Sequence, residues 1–253
     1  MNYLGTFTLI KKEIYRFLKV YHQTIFSPVV NIILFLLVFS ISVGENIKQI
    51  EGVDFTVFVA SGLIIMSAMQ NAFANSSSSL VMSKVMGHIV DYLIPPISAL
   101  ELLSAFLIGS IVRGILVALA SFLVIFLFAS LSITHFFSML LFLFLGCCFL
   151  GLLGILCGIL SDTFDQMSAL TSYLITPLTF LSGTFYSINS LPSFWQIIAK
   201  LNPFFYIIDG FRYGITGHND GNLLFAIIYL AILNIILFVI LLQMLKNGYR
   251  IKN

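Results

Sequence analysis

The chain has 253 residues, of which 60% are hydrophobic and only 9% charged, and its mean hydropathy is +1.08. A soluble domain carries charge on about a quarter of its residues, so there is too little polar surface here to wet a globule, while 26 phenylalanines and 10 tyrosines exclude intrinsic disorder. A formal charge of +2 leaves no electrostatic footprint for nucleic acid.

The first element is amphipathic. Phe7, Ile10, Ile14, Phe17, Leu18, Tyr21 and Ile25 recur at three- and four-residue steps, with Lys11, Lys12, Arg16 and Lys19 on the other side. That pattern predicts a helix over 1–26 lying in the headgroup layer, apolar face toward membrane lipids and basic face toward phosphates. A cleaved leader is not expected, because no A-x-A-like site follows the first apolar stretch, where the flank at 40–43 reads Ser-Ile-Ser-Val.

Five stretches then lack charge altogether: 20–44, 55–83, 114–161, 166–199 and 221–245. A helix crossing the hydrocarbon needs about 20 apolar residues, and in lipid each backbone polar group must be satisfied within its own segment. The 48 residues of 114–161 hold two helices, with 130–135 as the polar break. The 166–199 stretch crosses once. Its second half contains Gly183, Asn189, Ser190, Pro192 and the only tryptophan, Trp195, and reads as a broken, non-spanning segment at an interface. The expectation is an all-α membrane protein with a single transmembrane domain over 1–253: six spans at 27–43, 56–75, 106–129, 137–160, 167–183 and 222–245, and a short tail at 246–253.

Charge sets the orientation. Lys11, Lys12, Arg16, Lys19, Lys84, Lys246, Arg250 and Lys252 fall on one side; only Lys48, Lys200 and Arg212 fall on the other. Positive residues stay in the cytoplasm, which places both termini there and requires an even number of spans. Cys147, Cys148 and Cys157 all fall in span four and read as buried thiols rather than a disulfide framework.

Between spans two and three, Met82, Val85, Met86, Ile89, Val90 and Leu93 form an apolar stripe, with Ser83, Lys84, Gly87, His88 and Asp91 facing away. Pro95-Pro96 must end this helix, and Ser98 with Glu101 has capping-box spacing for the next. The polar ridge reads equally well as a solvated surface or as a lever for a cytoplasmic partner.

Inside the spans, Gly151, Gly154 and Gly158 share a face that lets backbones approach, favouring packing within one chain over a subunit contact. Glu101 and Arg113 are expected near the cytoplasmic boundary in a structural role. Asp162 and Asp165 are expected to favour the positive N-terminus of span five, where Thr163 and Gln166 have capping spacing. Asp209 and Arg212, three apart, are expected to form a local ion pair. The sequence has no H-E-x-x-H, G-x-S-x-G or Walker loop, and no clustered metal ligands. The residues alone predict a membrane subunit with no chemistry of its own, not an enzyme.

Three local matches go further. The segment Lys84-Val85-Met86-Gly87-His88 continuing to Pro95-Pro96-Ile97-Ser98, the turn Ser161-Asp162-Thr163-Phe164-Asp165-Gln166, and the series Phe180-Leu181-Ser182-Gly183-Thr184-Phe185-Tyr186, Leu191-Pro192, Asn202-Pro203 and Asp209-Gly210-Phe211-Arg212 together resemble the ABC-2 type permeases of ATP-binding-cassette exporters, in their NodJ- and YadH-like branch. The likeness covers nearly the whole chain, and departs where His88 follows Gly87 in place of the family's frequent Gly-Thr pair. It implies that Ser83, Lys84, Gly87, His88 and Asp91 belong to a coupling helix seated in a separate cytoplasmic ATPase subunit, which holds the ATP and Mg, so that this chain needs no cofactor. It implies that Gly183, Pro192, Asn202, Pro203, Asp209 and Arg212 mark a re-entrant helical pair at the outer leaflet. It also implies a homodimer in a bacterial inner (cell) membrane, with spans one and five lining the path or meeting the second copy. The cargo would be an amphipathic or lipid-linked glycan, a lipid or a drug. The competing classes are a stand-alone carrier or channel without an ATPase and, least supported, an intramembrane enzyme.

Overall fold

A computed structural model of the chain describes residues 2–42, 48–127, 129 and 131–250; Val43, Gly44, Glu45, Ser130 and Lys252, on which parts of the sequence reading rest, lie outside them. Helix α1 (Tyr3–Leu18) begins at Asn2, whose side chain accepts from the Gly5 amide, and passes through a π-helical turn at His22–Phe26 into α2 (Ser27–Ser42). Strands β1 (Gln49–Ile50) and β2 (Val53–Asp54) form one antiparallel pair, and Asp54 caps α3 (Phe55–Val85). The single turn α4 (Val90–Leu93) leads to α5 (Ala99–Ile125) and α6 (Phe136–Leu160). Next come α7 (Phe164–Leu170), a π turn at Thr171–Ile175, and α8 (Thr176–Phe180). After a 3-10 turn at Ile188–Ser190 the chain forms α9 (Ser193–Leu201), α10 (Pro203–Thr216) and α11 (Leu223–Lys246).

Among the described residues, five helices are long and apolar enough to cross a membrane: His22–Phe39, Phe55–Val85, Ala99–Ile125, Phe136–Leu160 and Leu223–Lys246. The expected span at 167–183 is instead three consecutive helical pieces of 7, 5 and 5 residues. At 1.5 Å per residue they rise about 25 Å, short of the ~30 Å hydrocarbon thickness. Both described chain ends come to one end of the bundle. The Asn2 amide donates to Glu101 at the start of α5, and Arg250 Nη1 donates to the Leu160 carbonyl at the end of α6.

Helix α3 is the axis. It runs 31 residues, about 46 Å, and is buried along most of its length by α5, α6 and α10. Close approach is what puts it there. A Cβ on Gly154 would lie 2.4 Å from the Phe73 carbonyl oxygen, and one on Gly158 2.7 Å from Leu80 Cβ. The expected glycine face of span four therefore packs within the chain, Gly154 and Gly158 against α3 and Gly151 against Ser110 and Leu107 of α5. A second pair, Gly210 and Gly214 on α10, seats that helix against Phe142 and Met139 of α6 in the same way.

The polar second half of α3 stays helical inside the bundle because its hydroxyls find acceptors. Ser77 and Ser78 donate back to the carbonyls of Phe73 and Ala74, while Ser76 reaches Gly151 O on α6 at 2.8 Å. Helix α1 lies against α5 with an unexpected orientation. Tyr3, Leu4 and Phe7 are exposed, as an interfacial helix requires, but the inward ridge carries Glu13 and Arg16 beside Phe17. Arg16 therefore turns into the bundle, and Lys12 reaches Tyr92 Oη at 2.9 Å, instead of both joining Lys11 and Lys19 on one basic face.

Candidate functional site

The Gly183 end of the bundle is built from breaks. Leu181 to Tyr186 turn at Gly183, where φ is +74°, a left-handed conformation that a side chain would strain. Asn202 ends α9 and starts α10: its Oδ1 accepts from the Phe204 amide at 3.1 Å, its Nδ2 donates to Leu178 O at 2.6 Å, and Pro203 takes the first helical position. Pro192 stands immediately before α9, at its N-cap and without a side-chain cap. α9 exposes Phe194, Trp195, Ile197 and Leu201, a short apolar helix suited to a membrane interface.

Asp209 and Arg212 do not pair. Each is buried and has found backbone partners instead. The Asp209 carboxylate accepts the amides of Asp220 and Gly221 at 2.8 and 2.9 Å. Arg212 turns the other way, toward α3, and donates to the carbonyls of Gly183 and Thr184. Gly62 makes room for it, since a Cβ there would lie 3.2 Å from the guanidinium and 2.6 Å from Thr184 O. A further knot that the sequence did not announce joins three loops. Asp220 Oδ2 accepts from Ser187 Oγ at 2.9 Å and from the Ile188 amide at 3.1 Å. His218 Nε2 lies 3.3 Å from Asp220 and 3.9 Å from Glu51, and Ser187 Oγ also reaches Glu51.

At the opposite end, the 83–91 segment divides. α3 runs on to Val85 and turns at Gly87 (φ +73°), so no continuous helix spans 82–93. Ser83 is buried, and the side chain of Lys84, only 10% exposed, points into the bundle at the carbonyls of Ile159 and Ser161 and at Asp162, 3.4 Å away. Asp162 thus serves Lys84, while Asp165 sits in the first turn of α7 as expected. Gly87, His88 and Asp91 are exposed, with His88 Nδ1 3.4 Å from Asp91. Four residues of the apolar stripe are exposed beside them: Met82, Val85, Met86 and Val90 are all at least 44% exposed. The Ser98–Glu101 capping box is present as expected.

Between the two ends lies an open groove floored by α3, walled at its widest part by the end of α1, the turn at His22–Phe26 and the 164–180 run, and further along by α2. Its widest part, about 820 Å³, is lined by Arg16, Phe17, Asn71, Ser78, Arg113 and Ser172 among others. A narrower space of about 180 Å³ continues past Asn31 and Ser67, sharing Gln23, Gln70 and Asn71 with the first. A third, about 390 Å³, lies at the Gly183 end beside Phe39, Glu51 and Phe185. From Ser78 to Phe55 on α3 this file of cavities extends about 35 Å. Phe185 stands at its end, stacked on Phe39 at 4.8 Å and near Phe35 at 6.3 Å.

Arg113 was misplaced in the sequence reading. α5 starts at Ala99 rather than 106, so Arg113 is the fifteenth of its 27 residues and lies at the middle of the helix, not near its boundary. It donates to Asn71 Oδ1 at 2.9 Å. Arg16 is held one turn along α3 by Asn75, at 2.7 Å to the carbonyl and 2.9 Å to Oδ1, and by Glu13. Glu13, 1% exposed and bonded to Ser79 Oγ at 2.8 Å, escaped notice because one acidic residue among lysines reads as a solvated face. The sequence signal for this buried network was available: Ser67, Asn71, Asn75 and Ser79 recur every four residues, along one face of α3.

Residues 5–216 match the family model described as ABC-2 type transporter. The chain belongs to the ABC-2 type transporter family. It is 32% identical over 237 residues to the inner membrane transport permease YadH of Escherichia coli strain K12, covering 94% of this chain and 93% of that one, and matches YadH of Shigella flexneri to the same extent. Membership in the ABC-2 family makes the bundle the membrane permease subunit of an ABC transporter. The groove, the turn at Gly87 and the broken segment after Gly183 are accordingly parts of an ABC-2 permease, and all but the last helix lie within the matched region.

Proposed function

We propose that this permease is the membrane half of an exporter in a bacterial inner membrane. It crosses six times with both termini in the cytoplasm, and it moves an amphipathic or lipid-linked substrate outward with ATP hydrolysed by a separate subunit. The file of cavities along α3 carries this reading: it runs about 35 Å between the two ends, with Arg16 and Arg113 on an otherwise mixed lining toward the Gly87 end and Phe39 and Phe185 at the Gly183 end. The 164–180 run counts as the fifth crossing, its ~25 Å rise completed by the turn at 181–183. The shared location of the two described chain ends supports an even count, and Lys11, Lys12, Lys84, Lys246 and Arg250 on that side support its being cytoplasmic.

The exposed Met82, Val85, Met86 and Val90 together with Gly87, His88 and Asp91 form the contact for the ATPase, which holds the ATP and Mg. α9 and α10 form the re-entrant pair at the outer leaflet. The groove opens sideways, and arginine facing lipid is costly, so a second copy covers it and the transporter is a homodimer with two ATPases. ATP-driven closure tilts the bundles against each other as rigid bodies. The reading is tested by co-purification and by reconstitution. A tagged copy should bring down an ATPase, and vesicles holding both should show ATP-dependent outward flux. Flux through this chain alone without nucleotide would mean a self-sufficient carrier or channel.

A further inference from the structure

We propose that the 820 Å³ part of the groove binds the anionic head of an amphiphile, such as a phosphate monoester on a hydrocarbon tail, with Arg113 as the charge that recognises it and Arg16 beside it. Calling this ligand a cargo rests on the permease reading; the binding itself does not.

An ionisable side chain at mid-helix in a membrane span is costly and is retained where it pairs or lines a wet path. Arg113 has no acidic partner among the described residues. Its contact is with the neutral Asn71, and its Nε has no partner in the protein. Arg16 faces the same space. Its counter-charge, Glu13, lies beneath and does not line the cleft, so the lining offers two guanidinium groups and no carboxylate. Asn71 and Asn75, one turn apart on α3, hold these two cations against the same floor. A guanidinium offers a planar fork of donors that suits phosphate or carboxylate oxygens. A cation would be repelled by Arg113, and an uncharged guest would leave that charge unanswered, whereas Arg16 already has Glu13 at 3.3 Å.

The remaining surface suits an amphiphile rather than a bare ion. Ser168 and Ser172 supply hydroxyls, and Phe17, Phe73 and Met167 supply apolar wall. The volume lies within the range of small-molecule sites.

The test uses the full chain in a neutral maltoside detergent with three probes: dioctanoyl phosphatidic acid, dioctanoylglycerol and inorganic phosphate. Phosphatidic acid should bind about tenfold or more tightly than either of the others. Arg113→Gln should weaken it by a similar factor. Ser172→Glu, which places a carboxylate on the facing wall without touching either arginine's bonds, should do the same while leaving the melting temperature in place. Equal binding of dioctanoylglycerol would show a site blind to charge, and equal binding of inorganic phosphate a site for a soluble anion; either overturns the proposal. So does wild-type affinity in both variants. ATPase co-purification, measured in parallel, separates the two ideas. Lost selectivity with the ATPase still bound sinks only this inference, whereas failure to bind any ATPase sinks the permease reading.

Discussion

Arg212 lies over the ring of Phe58, its guanidinium carbon 3.6 Å from the ring centroid, while the same side chain donates to Gly183 O at 2.7 Å. The contact ties the turn after α8 to the first turns of α3 across the space that Gly62 leaves open. A planar guanidinium can stack and donate at once, and an ammonium cannot. Arg212→Lys should therefore fail to substitute. Arg212→Gln should destabilise by about 3 kcal/mol, since two buried carbonyls lose a charged donor. Thermal unfolding in detergent checks this, and a wild-type midpoint for Arg212→Lys would show that charge alone suffices.

The glycines of α6 are not equivalent. Gly154→Ala sets a methyl against the Phe73 backbone at 2.4 Å, which cannot move aside, whereas Gly151→Ala meets the side chains of Ser110 and Leu107 at 3.1 and 3.2 Å. The first should cost about 1–3 kcal/mol from overpacking and the second clearly less. Their melting temperatures should rank in that order, and the reverse order would refute α3–α6 contact as the source.

Lys84 and Met86 are two residues apart and should fail differently. Lys84→Met removes the donor to the end of α6 and should lower the melting temperature while the ATPase still binds. Met86→Asp and Val90→Asp place charge on an exposed apolar face and should leave the melting temperature unchanged while cutting ATPase co-purification about tenfold. If Lys84→Met alone loses the ATPase, the partition of the 83–91 segment into an inward and an outward half is wrong.

Glu13 holds Arg16 and Ser79 together from inside. Glu13→Gln keeps the shape but removes the counter-charge, so the fold should weaken by about 2 kcal/mol, less than for a fully buried pair because Arg16 remains 30% exposed. Glu13→Gln combined with Arg16→Gln should recover part of that loss. A double-mutant cycle with no coupling would remove the pair from the network.

Asp220 joins the loop after α10 to the 187–188 turn. Asp220→Asn should loosen that turn, and amide exchange of the 187–191 backbone should accelerate by about tenfold, equivalent to 1.4 kcal/mol of local opening. Unchanged protection there would mean that Glu51 and His218 hold the knot without it.

Much of this molecule is written locally. The uncharged stretches predicted the five long apolar helices, because lipid solvates a segment by its own composition, though not the division of 164–180 into three short pieces, and the breaks at Gly183, Pro192 and Asn202-Pro203 were legible because each residue type acts on its own backbone. The Ser98–Glu101 cap was readable for the same reason. What composition could not say is which side of each helix turns inward. In water an apolar face points to the core; in a bilayer lipid is as apolar as the core, and hydrophobicity no longer sorts the two. α11 shows this plainly: nearly every residue is apolar, yet only Ala226, Leu230, Asn234 and Leu241 are buried. The inward ridge of α1 was decided by its seat on Gly109 of α5, and the burial of Lys84 and the separation of Asp209 from Arg212 by the contacts that gather α6 and α10 around α3. Those contacts join residues tens of positions apart in the chain, and only the assembled bundle brings them together.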